Sequence, residues 1–481
     1  MRVVHAGFKK MLCAWKRLRI LRRYSSATGR GSHKHRVTCT SLFLPRAQPD
    51  SQQASIKSHK LLLDAGLIRQ SSAGVYHLLP LGLRVLERLV VLVNHHMEAI
   101  GASRMALPIL NPATLWKKSG RWETVGSELF RLKSNTGAEC CVGPTHEESV
   151  TELVASELTS HRQLPLRLYQ VDRKFRDEKR PRGGLLRCKE FWMKDMYTFD
   201  VSEEAATATY HEVCEAYESI FRTISLPVMR VNAATGNIGG SLSHEYHVVS
   251  PVGEDTLVLC HSCGRGFNKE LLSTVVGGVE GDCLPGCPQT SPRECRLEEV
   301  KGIEVAHTFY LGTKYSSLFG ANFSDHTNRE RLCEMGCFGI GVSRLLQAVV
   351  EHSCSVHGSE GISWPLSITP FTACVLPLTT SPEDPSDSLM VKAHQLYDRL
   401  SEEACPGHVI LDDRTHLTMG ARLRDSQRLG YPCTIVIGHK TGEGEYEVRL
   451  AKKSGLETCL LTEHQVHQTV HDLYTLATNL D

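Results

Sequence analysis

Between Phe175 and Asp195 the chain reads FRDEKRPRGGLLRCKEFWMKD, which sets arginines, carboxylates and aromatic rings around a Pro/Gly turn. Read as two strands joined by KRPRGGL, with side chains alternating across each, Arg176 and Glu178 share one face of the first strand. Arg187, Lys189 and Phe191 share one face of the second. If the faces coincide, one surface offers a cation, a hydrogen-bond acceptor and an aromatic plate. That set suits a nucleotide: guanidinium on phosphate, carboxylate accepting from the adenine amino group, ring against the base. Arg344 adds a second cation in the first turn of a helix, an end that already favours anions. Each piece alone has a plainer reading. An Arg-x-Glu pair is usually a surface ion pair worth about 0–1 kcal/mol. Gly336, Gly339 and Gly341 suit a turn as readily as a phosphate loop, and THEESV at 145–150 lacks the second His of a zinc protease.

A second group of reactive side chains is sulfur. Cys260-x2-Cys263 and Cys283-x3-Cys287 have the close-pair spacing of a zinc ribbon, with the second pair one residue wide and Cys295 competing as a ligand. Degenerate ribbon or packed thiols is the alternative. Eighteen cysteines scattered through 481 residues do not make a small disulfide scaffold, so most read as reduced and packed.

These side chains need elements to hold them. From Leu81 to Ile100 the apolar residues Leu86, Leu89, Val90, Val93 and Met97 recur at three- and four-residue steps, which predicts an amphipathic helix closed by Gly101. SRMALPIL then reads as a short strand meeting Pro108. EMGCFGIGVSRLLQAVVEH predicts a Gly-rich approach to a helix buried through Val342, Leu345, Leu346, Val349 and Val350. WPLSITPF, 364–371, looks like a domain joint. Beyond it FTACVLPL, SDSLMVKAHQLYDRLSEE, HVILDD, MGARLRDSQRLG and CTIVIGHK alternate strand and helix, the pattern of a small α/β domain with mixed or parallel strands.

The length allows two or three domains. A net charge of only +2 means that nucleic-acid contact must use local patches. No apolar run reaches transmembrane length. Residues 1–49 hold many Arg and Lys and no acidic residue before Asp50. WKRLRILRRYSSA reads as a mitochondrial presequence over residues 1–30, followed by a linker at 31–54; a basic arm touching RNA is the alternative.

GPTHEE, KFRDEKRPRGGLLRCKEFWMKDMYTF and EMGCFGIGVSR resemble the signature segments of class II aminoacyl-tRNA synthetases, specifically the bacterial-type prolyl-tRNA synthetases. GLRVLERLVVLVNHHMEAIGASRMALPIL resembles the family's dimer-forming helix and strand, and GLIRQSSAGVYHLLPLGLRVL, NPATLWKKSGRW, GGSLSHEY, HTFYLGTKYS and VILDDRTHLTMGARL match in order over about residues 55–450. With the Arg-rich N-terminus, this implies a mitochondrial form. The resemblance implies an α+β catalytic domain over 55–368, a six-stranded antiparallel sheet flanked by helices. A short Cys-containing insertion at 250–300 stands where bacterial relatives have an editing domain. An α/β anticodon-binding domain occupies 369–481.

It also implies roles. Arg176 would hold the proline carboxylate and the ATP α-phosphate, Glu178 the adenine amino group, Phe191 the adenine ring, and Arg344 the γ-phosphate. Thr145 and Glu147 would bind the secondary amine of proline, Met193 and Tyr197 would line its ring pocket, and Cys337 would lie nearby. Glu304 and His307 would border the nucleotide and substrate pocket. Mg²⁺ would bridge the phosphates. Arg180 and Arg182 would approach the acceptor end of mitochondrial tRNA(Pro), with solvent exposure as the alternative. Asp412, Asp413, Arg414, Arg422 and Arg424 would read anticodon bases, with a solvated helix face as the alternative. A homodimer in the mitochondrial matrix is expected. Two departures stand out: the missing editing insertion, which predicts mischarging with alanine, and Gly183 where the family usually has Phe, which predicts a looser turn. The rival reading is a non-catalytic nucleic-acid-binding relative, which would be expected to lose the ATP arginines or the amino-acid loop; this chain keeps both. A synthetase for threonine or histidine fits GPTHEE and LGTKYS less well.

Overall fold

The apolar steps predicted near residue 81 form a helix at Pro80–Ala99 (α1). Pro80 opens it, where the missing N–H costs nothing. Gly101, with φ of +76°, closes it in the left-handed region. The structure is a computed structural model that describes residues 35–45, 54–275, 284–285, 296–357, 361–378, 388–438, 441, 443–452 and 455–480. The expected presequence at 1–30 lies outside the described residues.

SRMALPIL is not one strand. Only Ser103–Arg104 (β1) joins the main sheet, and Leu110–Pro112 pairs in a separate three-stranded sheet. Pro108 stands in the break, where it has no N–H for a ladder. The chain then runs through Glu147–Glu157 (α2), Leu166–Phe175 (β2), Glu190–Asp200 (β3) and Glu203–Thr223 (α3). Met229–Asn232 (β4), Leu242–Val249 (β5), Asp255–Cys260 (β6), Gly266–Asn268 (β7) and Leu297–Gly312 (β8) follow. Glu334–Gly341 (β9) leads directly into Val342–His357 (α4).

The sheet is larger than the six antiparallel strands expected. Among the described residues it has nine, in the order β5-β4-β7-β6-β8-β9-β3-β2-β1. The extra width comes from the short insertion, whose strands β6 and β7 join the main sheet, and from β1, which pairs parallel to β2. The sixteen-residue β8 organises this half. Along one edge it pairs first with β6, from Leu297 to Gly302, and then with β5, from Gly302 to Tyr310. Its other edge pairs with β9. Helices α1, α3 and α4 pack together on one side of this sheet.

The β2–β3 hairpin is shorter than the sequence suggested. The ladder stops at Phe175 opposite Glu190, so Arg176, Glu178, Arg187 and Lys189 lie beyond the strands. Pro181 and the positive φ of Gly183 and Gly184, +69° each, cannot continue them. The loop is nonetheless held. Arg176 N donates to Lys189 O at 2.9 Å, Arg182 N to Arg187 O at 3.2 Å, and Gln347 of α4 donates to Gly183 O at 2.8 Å. Gly183 therefore does not loosen the turn. A Cβ there would also meet Ile56 at 2.8 Å.

The C-terminal domain holds Ala373–Pro377 (β10), Ser388–Arg399 (α5), Val409–Leu411 (β11), Met419–Leu429 (α6), Cys433–Ile437 (β12), Glu445–Lys452 (β13), Gly455–Thr462 (β14) and Glu463–Thr478 (α7). Its sheet runs β11-β10-β12-β13-β14, parallel at β11, β10 and β12 and antiparallel beyond, the mixed arrangement expected. Part of the expected linker is not free. Thr38 bridges Leu411 at the β11 edge, Cys39 N donates to Leu411 O at 2.9 Å, and Cys39 is buried. An open sheet edge is a row of unpaired backbone groups, which explains the attraction.

Helix α1 ties the two domains. Arg84 donates to Pro370 O and Gly407 O and lies 4.3 Å from the Phe371 ring centre. Arg88 donates to Ser367 O at 2.9 and 3.1 Å, and its Nη1 lies 2.9 Å from the ring nitrogens of His408. Burial, then Arg88 and Arg84, push the His408 imidazole down to about 2. The folded value lies below the unfolded one near 6.5, so this group's contribution to stability is complete above that pH and is lost as pH falls. His408→Asn should therefore flatten the acid loss of stability below about pH 6.5, by up to roughly 1.4 kcal/mol per pH unit. Melting temperatures at pH 7.5, 6.5 and 5.5 check this; equal slopes for variant and parent would reject it.

Candidate active site

Alternation along neighbouring strands brings the candidate side chains to one face. On β3, Phe191, Met193, Asp195 and Tyr197 share that face, opposite Lys174, Asp172, Gln170 and Leu168 of β2. On β9 the matching positions are Gly341, Gly339 and Cys337, and on β8 they are His307 and Phe309. Gly339 leaves space above the sheet: a Cβ there would touch nothing closer than 3.9 Å. The result is a cleft, open to solvent on one side, lined by Thr145, Arg176, Glu178, Phe191, Met193, Glu304, His307, Cys337 and Arg344. Nine residues proposed from the sequence for ATP or proline thus meet in one cavity. Glu147 and Tyr197 stand just behind Thr145, which donates to Glu147 at 2.7 and 2.8 Å and lies 3.2 Å from the Tyr197 hydroxyl.

One end of the cleft is cationic. Arg176 lies over Phe191, 5.3 Å from the ring centre, and no carboxylate is within ion-pairing distance of it among the described residues. Burial and the neighbouring Arg344 both press its pKa downward. Arg344 donates to Leu186 O at 2.7 Å and Glu304 O at 2.8 Å, and pairs with the Glu304 carboxylate at 3.2 Å. Two guanidiniums of which only one is paired with a carboxylate form a site for an anion. Glu178 is engaged by Arg187 at 2.8 Å through one oxygen, Oε2.

The acidic corner beside it contains Glu245, Glu304 and His307, whose ligand atoms lie within 4.8 Å of one another. Burial acts to raise Glu304, but the hydrogen bond from His307 and the charges of His307 and Arg344 hold it well below the usual carboxylate range. His307 is stacked on Phe309 at 3.8 Å. Two carboxylates suit a hard divalent cation that keeps most of its ligands from water and phosphate.

The other end is anionic and deeply buried. Glu147 and Glu148 open α2, where negative charge is favoured, and Arg121 reaches both at 2.9 and 3.1 Å. Cys337 donates to Glu147 at 3.2 Å. Burial opposes ionisation of both acids, yet Arg121 and Thr145 bring Glu147 down, while Glu148 stays raised. One guanidinium facing two carboxylates leaves room for one more cation. Beneath them, Tyr197 donates to Asp195 at 2.8 Å, and Asp195 pairs with the fully buried Lys174 at 3.0 Å. Lys174 also donates to His146 Nδ1 at 2.7 Å, and His146 Nε2 to Pro108 O at 2.9 Å. Burial, then the charge of Lys174, lower the pKa of that imidazole.

Other expected site residues fare differently. Arg180 and Arg182 are exposed at the loop tip, and Arg182 is paired with Glu254 at 2.6 Å. In the C-terminal domain, Asp412 and Arg422 are buried, and they do not present base-reading edges. Asp412 accepts from Arg414 at 2.7 Å, and Arg422 donates to Pro377 O at 2.8 Å, so both satisfy polar groups of the domain core. Arg414 is further engaged by Asp425 at 2.8 Å, and Asp413 accepts from Thr40 N at 2.9 Å. Arg424 remains exposed on α6. Cys260 and Cys263 flank a tight turn in which Gly264 N donates to Cys260 O at 2.8 Å; Cys283, Cys287 and the competing Cys295 lie outside the described residues.

Sequence reasoning missed Arg121, Glu148, Asp195, Lys174, His146, Glu245 and Glu254. Asp195 was within reach, since it alternates with Phe191, Met193 and Tyr197. Arg121 and Glu254 carried no local signal, because their partners lie 26 and 67–72 residues away.

Two family models match the chain: the class II tRNA synthetase core domain (G, H, P, S and T) over residues 130–353, and an anticodon binding domain over 372–468. The fold and cleft are those of a class II aminoacyl-tRNA synthetase. The chain is 42% identical over 466 residues to the probable mitochondrial proline–tRNA ligase of Rattus norvegicus, with 94% of each chain covered. It is 43% identical over 433 residues to the Homo sapiens counterpart, covering 89% of this chain and 88% of that one. The Giardia lamblia prolyl-tRNA synthetase, solved with prolyl-adenylate, shares the fold at a TM-score of 0.68 and 18% identity, over 91% of this chain and 82% of that one. The chain belongs to the proline–tRNA ligase family.

Among the described residues Arg121 is the cation that pairs with both buried acids, and it reaches both through one atom, Nη1, so Arg121→Lys, whose ammonium is differently placed, should raise KM for the amino acid by roughly tenfold. The measurement is amino-acid-dependent exchange of pyrophosphate into ATP. An unchanged KM in a folded variant would show that the Arg121 guanidinium does not set the Glu147 carboxylate.

Proposed function

We propose that this chain activates proline with ATP and transfers it to tRNA(Pro). The observation that carries the reading is the polarity of the cleft: an anion-seeking pair, Arg176 and Arg344, at one end and a cation-seeking pair, Glu147 and Thr145, at the other. A proline zwitterion with its carboxylate against ATP spans those two ends. Its secondary ammonium goes to Glu147 and Thr145, its ring to Met193, Tyr197 and Cys337, and its carboxylate to Arg176. Phe191 stacks on adenine, Glu178 accepts from the amino group through its remaining oxygen, and Arg344 takes the γ-phosphate.

A proline carboxylate oxygen attacks the α-phosphorus, the bond to the bridging oxygen breaks, and pyrophosphate leaves with those electrons. No protein base is needed, because the nucleophile is already an anion. Arg176 supports the charge that builds on the α-phosphate, so catalysis is positioning and charge stabilisation. The terminal ribose hydroxyl of the tRNA then attacks the prolyl carbonyl carbon and AMP departs. Glu245 and Glu304 would hold Mg²⁺, which would neutralise phosphate charge. Arg180 and Arg182 approach the acceptor strand, and Arg424 faces the anticodon. A mitochondrial tRNA(Pro), a matrix location and a homodimer belong to the same reading, which the names of the similar proteins support for the organelle.

The interval between β5 and β8 is short, which supports the reading that an editing domain is missing. A site built for proline discriminates against the smaller alanine by only about 1–3 kcal/mol. Pyrophosphate exchange with proline and alanine in parallel tests both points. Proline-dependent exchange should fall at least about a hundredfold in Arg176→Ala, the scale for losing a transition-state charge partner. Alanine should be activated weakly, and Ala-tRNA should persist. No exchange with proline would favour the non-catalytic relative, and rapid deacylation of Ala-tRNA would refute the missing-editing reading.

A structural zinc on Cys260 and Cys263, completed by Cys283 and Cys287, is the same proposal's view of the insertion. Its tight turn fits a metal knuckle. Metal analysis of the purified chain should find one zinc, lost in Cys260→Ser; equal metal content in both would rule it out.

A further inference from the structure

The loop that carries Glu178 is tied to a residue with no role in the reading so far. Glu254 sits in the turn between β5 and β6 and receives two arginines, one on each oxygen. Arg182 Nε donates to Oε1 at 2.6 Å, and Arg187 Nη1 donates to Oε2 at 2.6 Å. Arg187 in turn donates from Nε to Glu178 Oε2 at 2.8 Å. The four side chains form one line, Arg182–Glu254–Arg187–Glu178, with no net charge. It runs from the exposed loop tip to the nucleotide end of the cleft.

The Glu254 end of this line is rigid. Lys301 Nζ donates to Glu254 O at 3.0 Å and to Thr256 Oγ1 at 3.0 Å. Ser250 N donates to Lys301 O at 3.0 Å and Gly253 N to Ser250 O at 3.0 Å. Gly253 lies so close to β8 that a Cβ would meet the Gly302 backbone at 2.3 Å, so the turn cannot ride up. Glu254 therefore sits in a turn fastened through Lys301 to the strand that carries Glu304 and His307. The Arg182 end is open: its side chain is 67% exposed, against 31% for Glu254. Exposed ion pairs are weak and exchangeable, and a phosphate is the stronger partner for a guanidinium. Burial acts to raise the Glu254 carboxyl, and the hydrogen bonds from Arg182 and Arg187 outweigh it, so it stays ionised.

We propose that Glu254 is a positioning residue that holds Arg187, and through it Glu178, in the ATP-ready arrangement, and that an acceptor-strand phosphate of tRNA replaces it on Arg182. The proposal rests on the reading of Glu178 as the adenine acceptor and of Arg182 as a tRNA contact. Glu254 then links the two substrates. While Arg182 is bound to it, the loop is closed over the nucleotide; once the phosphate takes Arg182, Glu254 keeps Arg187 alone.

The test uses the full mature chain with ATP in pyrophosphate exchange and tRNA in aminoacylation at one fixed salt concentration. Glu254→Gln should raise KM for ATP by about tenfold with little change in kcat, because a ground-state positioning contact is lost. It should lower KM for tRNA by a fewfold, because the phosphate no longer competes with a carboxylate. Glu254→Asp should restore the ATP value in part. Arg182→Gln should abolish the gain for tRNA in the Glu254→Gln background. Opposed shifts for the two substrates support the proposal; both KM values rising together, or neither moving, overturns it. Glu178→Gln run alongside separates the two readings. If its KM for ATP is unchanged, the adenine role of Glu178 has failed, and with it the ATP half of the proposal.

Discussion

Two guanidiniums, Arg176 and Arg344, line one cleft, and among the described residues only Arg344 is paired with a carboxylate, that of Glu304. Like charges so close are unfavourable unless something restrains them, and much of the surrounding structure is that restraint. Arg344 is anchored by two backbone carbonyls, Leu186 O from the hairpin loop and Glu304 O from β8. Arg176 is held by the hairpin backbone and lies over Phe191. The unfavourable arrangement is what makes the site bind an anion: a triphosphate supplies the charge that the protein withholds.

The opposite end solves the inverse problem. Glu147 and Glu148 are fully enclosed, and enclosed carboxylates are tolerated only when paired and hydrogen-bonded. Arg121, Thr145, Ser119 and Cys337 supply those bonds, while leaving the negative charge in excess. Behind them Lys174, Asp195, His146 and Tyr197 form a closed network that holds the Thr145 loop by its backbone, since His146 N donates to the Tyr197 hydroxyl at 2.8 Å. Lys194 points to the other face of β3. There burial pushes its pKa down to about 7, and it donates to Phe338 O at 3.0 Å. Strand alternation thus separates a lysine that shapes the site from one that supports the helix layer.

Helix α1 carries the mechanical side of the design. Its apolar face is buried in the catalytic domain, and its arginines grip the joint at 367–371 and the turn at 407–408. The charged network of the second domain, Asp412 with Arg414 and Arg422, belongs to its core rather than to its recognition surface. Charged residues at a strand end can serve either purpose, and only their burial distinguishes the two.

Local order carried much of what the sequence could reveal. The period of α1 and α4, the strand–helix alternation after residue 372, and the short motifs around Arg176, Thr145 and Arg344 depend on neighbours a few residues apart. The motifs were specific enough to point to a class II synthetase, and seven of the site residues they suggested share one cleft. Long-range pairing set the rest. It ended the hairpin ladder at Phe175, recruited the insertion strands to a nine-stranded sheet, and docked Thr38 and Cys39 on β11. It also gave Arg121 to Glu147, Glu254 to Arg182 and Arg187, and the core to Asp412 and Arg422. A side chain's type and spacing say what chemistry it can do. Which charge it meets, and whether water reaches it, is decided only when distant segments pack.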